Sequence, residues 1–148
     1  MSLKEQLTTD MKEAMKSHDK DRLAVIRMVR GAIRQQEIDG QKELSDEDVI
    51  AVMSKEIKMR KDSIEEFKKG GREDLIAKTQ AEIDVLMPYM PAQLSEDEVR
   101  ELVKAAVAAT GAATPKDMGK VMGALMPKVK GRADGKLVNT LVRSMLQG

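Results

Sequence analysis

One phenylalanine and one tyrosine, Phe67 and Tyr89, are the only aromatic side chains in 148 residues. A core must therefore be assembled from Leu, Ile, Val, Ala and the 12 methionines, mostly good helix formers plus a side chain that fills irregular gaps. Apolar positions recur every three or four residues, and no stretch sustains strand-like alternation, so the expected fold class is all-α. With 34% charged and 41% hydrophobic residues, the composition is that of a globular chain rather than a disordered one.

The helix boundaries are written in capping residues. Ser2 and Glu5 read as a capping box, and Leu3, Leu7, Met11 and Ala14 follow at helical spacing to about Ser17. Asp19 or Asp21 is expected to cap a second helix, with Ile26, Val29 or Val25, and Ile33 on its apolar line and Asp39-Gly40 as its stop. Leu44-Ser45-Asp46-Glu47-Asp48-Val49 opens a third with a cap, an acidic first turn and a hydrophobic staple. Its line from Ile50 through Met53, Ile57, Arg60 and Ile64 to Phe67 keeps heptad spacing, interrupted only by Arg60. An arginine there is expected to pair with an acid of the next helix, such as Glu82. That fourth helix runs from about Glu73 to Met87, forming with the third an antiparallel hairpin turned at Gly70-Gly71.

Pro88-Tyr89-Met90-Pro91 stiffens the backbone and marks the expected boundary between residues 1–90 and 91–148. Beyond it, Leu94 to Val99 repeats the cap and staple of Leu44 to Val49 and starts a fifth helix that dissolves at Thr110-Gly111. Thr114-Pro115 introduces a sixth, expected to end before Pro127, and Asp134 a seventh. Three short helices are enough for a small bundle.

Charge is distributed unevenly. From Pro115 onward there are seven Lys or Arg against two acids, in a chain whose formal net charge is only +1. The cations gather around Lys128-Val129-Lys130-Gly131-Arg132-Ala133-Asp134-Gly135-Lys136, with Lys120 upstream. Such a concentration is the electrostatic footprint of a phosphate-binding surface, and a solvated turn between helices is an equal reading of the composition. No aromatic stacking platform accompanies it, which favours a folded RNA, recognised by shape and backbone, over unpaired bases.

Gly119 and Gly123 stand four apart on the sixth helix; a groove for a nucleic-acid backbone is conceivable, and close packing of another helix is the expected use. Arg27, Arg30 and Arg34 share a stripe on the second helix; a second phosphate-contacting face is one reading, and a solvated face paired with Glu37, Asp19 and Asp21 is the expected one. There is no cysteine and a single histidine, His18. Thiolate sites, disulfides and a histidine-based acid–base centre are therefore not expected, nor is a cofactor or metal. No apolar run reaches the roughly 18 residues of a membrane span, and the chain reads as soluble and cytoplasmic.

The run Met118-Gly-Lys-Val-Met-Gly-Ala-Leu-Met-Pro-Lys-Val-Lys-Gly-Arg-Ala-Asp-Gly-Lys136 resembles the tail domain of the GatB subunit of glutamine-dependent aspartyl/glutamyl-tRNA amidotransferase. Arg60-Lys61-Asp62-Ser63-Ile64, Glu82-Ile83 and Tyr89-Met90-Pro91 look like the stand-alone YqeY proteins of the same GatB/YqeY family. The resemblance implies a helical hairpin domain followed by a small three-helix bundle that contacts tRNA. By the same resemblance Lys128, Lys130, Arg132 and Lys136 would meet phosphates, and Gly119, Gly123 and Gly131 would shape the backbone. The amidotransferase draws ammonia from a separate amidase subunit and activates the acyl group in a cradle domain, and this sequence resembles neither. A tRNA-interacting module is thus the expected function, with no DNA and no membrane as partner. The alternatives are carbon-nitrogen ligase activity with glutamine as amido-N-donor, or a scaffold whose 45–87 hairpin docks a protein.

Overall fold

The computed structural model describes residues 1–147, and among them seven α-helices and no strand. It divides into two compact units, Met1–Met90 and Pro91–Gly148.

In the first unit, α1 (Leu3–Lys16) and α2 (Lys20–Gly40) form a hairpin. Its turn places His18 in the left-handed region at φ 58°, and Asp19 caps α2 by accepting from the Arg22 N–H at 3.2 Å. Gly40 does not stop α2 as expected: it stays helical, and Gln41 takes the left-handed position at φ 52°. α3 (Asp46–Lys69) begins with a reciprocal capping box between Ser45 and Asp48. It turns at Gly70 and Gly71, the latter at φ +66°, into α4 (Glu73–Leu86); a left-handed residue there favours glycine because it has no Cβ to clash.

Leu7, Ile26, Val29, Val49, Met53 and Leu86 are wholly inaccessible at the centre of this unit. Each contributes about 1.5–3 kcal/mol by leaving water. Arg60 interrupts the apolar line of α3, and its guanidinium is ion-paired to acids on both helices of the hairpin, although Nε itself is buried without a hydrogen bond. Nη1 donates to Glu56 Oε2 at 2.8 Å, and Nε lies 3.4 Å from Glu82 Oε1 across the hairpin. After α4 a single 3-10 turn, Met87–Tyr89, buries Tyr89, whose hydroxyl donates to Asp10 on α1.

The second unit contains α5 (Glu96–Thr110), a 3-10 turn at Pro115–Asp117, α6 (Met118–Val129) and α7 (Gly135–Gln147). Ser95 and Glu98 repeat the reciprocal box at the start of α5. Val99 and Val103 of α5, Val121 and Leu125 of α6, and Val138 and Val142 of α7 meet in its core. The spacing of four along each helix is what lets one stripe reach the shared interior.

α6 runs past the proline expected to end it. Pro127 lies inside the helix, so the Gly123 carbonyl loses its N–H partner four residues on. Both residues face solvent, where water can satisfy that carbonyl.

Candidate nucleic-acid interface

α6 is two-faced. Val121, Leu125 and Val129 are buried, whereas Gly119, Lys120, Gly123, Ala124, Pro127 and Lys128 are exposed on the other side. Met126 is also 42% exposed, one of few large apolar side chains left in water. Gly119 and Gly123 do not admit a neighbouring helix, which corrects the expected use of the pair. A Cβ built at either position would meet nothing within 4 Å. The glycines strip this face of side chains for no reason internal to the fold, and an exposed glycine inside a helix costs about 1 kcal/mol relative to alanine.

The cationic loop itself separates into two groups. Lys128 and Lys130 are exposed and have no ion pair among the described residues. Gly131 and Arg132 are instead drawn against the segment before α5. Gly131 is buried in the left-handed region at φ 74°, and its carbonyl accepts from Gln93 Nε2 at 2.9 Å. The Leu94 N–H donates to the Arg132 carbonyl at 2.8 Å, and Arg132 Nε donates to the Ala92 carbonyl at 3.1 Å.

The Arg132 side chain, half-buried, lines a groove with Asp97, Glu98 and Glu101. Gly131 and the Arg132 backbone and Nε therefore serve the turn and its strap: the backbone N–H and C=O groups of a buried turn must find partners, and here the loop finds them in residues 92–94. Lys136 is exposed in the first turn of α7 and has a partner of its own.

Acids near the surface are spoken for by caps. The Asp117 carboxylate accepts from the N–H groups of Ala113 at 3.0 Å and Thr114 at 3.2 Å. Those bonds hold it below the usual carboxylate range, with Lys120 adding a smaller attraction. Glu98 is likewise held low, chiefly by the Ser95 N–H and then by the Ser95 side chain, with a smaller effect of the Arg132 charge. Asp134 accepts from the Lys136 N–H at 2.9 Å and starts α7. Carboxylates committed to backbone donors have less capacity left for surface lysines.

Met126, expected with Met118 and Met122 chiefly to fill the core, is exposed instead, and the exposed Ala124 and Pro127 beside it were not singled out in the sequence. Their spacing from Gly119 and Gly123 was the available signal, masked by the expectation that Pro127 ends the helix. Among the described residues no group of three or more His, Cys, Asp or Glu side chains could hold a metal ion, and no helix is long and apolar enough to cross a membrane.

Fold and site together define an all-helical protein of two units, the second presenting a glycine-bared, lysine-edged helix face. The model of the Yqey-like protein family matches residues 4–146, and the chain belongs to that family.

Among curated relatives, "Altered inheritance of mitochondria protein 41, mitochondrial" of Pyrenophora tritici-repentis is 38% identical over 104 residues, 68% of this chain and 57% of the relative. The proteins of the same name from Kluyveromyces lactis and Lachancea thermotolerans are 44% and 40% identical over 87 and 85 residues, covering 58% and 57% of this chain. The chain spans about half the length of these relatives, at 47% and 46% of the latter two. Their names place them in mitochondria, which overturns the expected cytoplasmic location. The lack of cysteine and of a long apolar run does not distinguish one compartment from another.

Proposed function

We propose that the second unit binds structured RNA, with tRNA the first ligand to test, and that the solvent face of α6 is its contact surface. The observation that carries this reading is the bare strip at Gly119 and Gly123. It has no packing role, and Lys120 stands beside it on the exposed side of α6, with Lys128 further round the helix. A face without side chains lets a sugar-phosphate backbone come close to the helix, while lysines at its edges neutralise phosphates. The missing aromatic platforms favour shape and backbone contact over base stacking. Of the four loop cations, Lys128 and Lys130 are the leading phosphate contacts, being exposed and without an ion pair among the described residues.

The test is tRNA binding by the full chain across a salt series. Changing Lys128 and Lys130 together to Ala removes two phosphate contacts and flattens the slope of log affinity against log salt by about 1.4–1.8. An unchanged slope removes this face from the site. An absence of binding at low salt removes the function.

A further inference from the structure

The first unit carries a second cationic site, distinct from the α6 face. Between α1 and α2 lies an open groove of about 610 Å3, within the size range of small-ligand sites. Leu7, Met11 and Met15 of α1 and Ile33 of α2 line it with apolar surface, and Arg27, Arg30 and Arg34 line it with charge. Of the acids expected to neutralise those arginines, Glu37 lines the same groove beside Lys4, and both it and Asp19 are engaged by other donors. Glu37 accepts from Lys4 Nζ at 2.6 Å and from the Leu44 N–H at 2.8 Å. Asp19 caps α2, and Asp10 takes the Tyr89 hydroxyl with Arg22 at 3.9 Å.

None of Arg27, Arg30 and Arg34 is ion-paired among the described residues. Arg30 is the most telling. It is half-buried, and its hydrogen bond goes to the thioether of Met11, at 2.9 Å. A sulfur is a weak acceptor for a guanidinium with five N–H donors. Gly31 sits in the same lining, and a Cβ there would meet nothing within 4 Å. As on α6, an interior helical glycine opens space that the protein itself does not use.

We propose that this groove binds a nucleoside di- or triphosphate, its phosphates on Arg27, Arg30 and Arg34 and its base against the methionines. Spacings of three and four residues on α2 set the three arginines over roughly 10 Å of helix, the reach of a short phosphate chain rather than of one anion. Three guanidiniums, rather than lysines, offer paired donors to phosphate oxygens and flat faces to a base. The thioethers of Met11 and Met15 supply adaptable apolar contact. A nucleotide at the end of an RNA strand presents the same chemistry, and the test separates it from the free nucleotide.

The experiment is calorimetric titration of the full chain with ATP, without divalent cations, beside tripolyphosphate, a short oligoribonucleotide and an acidic peptide. ATP is expected to bind saturably at one site, at least tenfold more tightly than tripolyphosphate. Arg27→Gln with Arg34→Gln should weaken it at least tenfold. Gly31→Leu, at an exposed position with free space around it, should abolish ATP binding while circular dichroism stays helical. The Lys128→Ala, Lys130→Ala variant should bind ATP as the parent does, so this site and the RNA face stand or fall separately. An oligoribonucleotide that competes with ATP and binds more tightly would assign the groove to an RNA end. No saturable ATP binding up to millimolar concentration, equal binding of tripolyphosphate or of the acidic peptide, or indifference to the arginine changes would each overturn the proposal.

Discussion

The substitution Gly123→Ala is expected to move stability and RNA affinity in opposite directions. Gly123 is the sixth residue of the twelve-residue α6 and carries helical backbone, so alanine removes the glycine penalty of about 1 kcal/mol in a helix interior. No steric cost offsets the gain, because the added methyl meets nothing within 4 Å. For a unit of this size, 1 kcal/mol raises the unfolding midpoint by roughly 4–8 °C. If a nucleic-acid backbone rests on the bare strip, the same methyl pushes it away. Affinity for tRNA should fall by about tenfold, equivalent to about 1.4 kcal/mol, and further for Gly123→Leu. Thermal unfolding followed by circular dichroism gives the first quantity, and fluorescence anisotropy with labelled tRNA at fixed salt gives the second. A more stable variant with unchanged affinity, for leucine as well as alanine, would show that RNA does not touch this strip. A less stable alanine variant would mean the face is not open.

Two further expectations concern the folds of the units themselves. Arg60→Ala leaves Glu56 and Glu82, with side chains 16% and 31% exposed, facing one another without their cation. The cost in urea unfolding should be about 2 kcal/mol, below the 3–5 kcal/mol of a fully buried pair, and Arg60→Met with Glu82→Gln should recover part of it; a loss under about 0.5 kcal/mol would place the pair among solvated surface bridges. The second concerns pH. Glu98 and Asp117 have folded pKa values below their ordinary 4.5 and 3.8, so the unfolded chain binds more protons in this range, and their contribution is fully present above about pH 5 and lost as pH falls through the lowered values. The urea midpoint of the second unit should therefore drop between pH 5 and pH 3, less steeply in a Glu98→Gln, Asp117→Asn variant; equal slopes would refute the assignment.

Local signals in the chain were read correctly because their physics is local. Ser45 and Ser95 cap helices whose first turns need acceptors a few residues away, and Gly70-Gly71 turns the α3–α4 hairpin where a left-handed residue is needed. The pairing of Arg60 with Glu82 was also legible, since a cation on an apolar heptad line has few places to go. Where the reading failed, the deciding neighbour lay elsewhere in the fold. Pro127 continues α6 because both it and Gly123 face water. Arg132 is half-buried because residues 92–94 offer its Nε a carbonyl.

The amino-acid order alone determined seven helices, the serine caps of α1, α3 and α5, and a cationic excess near the C-terminal end. It could not determine which of those charges remain available. Helix formation depends on partners three or four residues off, whereas the fate of a charge depends on which acids the completed fold brings within reach. Tertiary structure buried Gly131 in a turn, left Arg132 half-buried beside it and kept Lys128 and Lys130 in water. It also spent Glu37, Asp19 and Asp10 on other donors, leaving Arg27, Arg30 and Arg34 around an open groove.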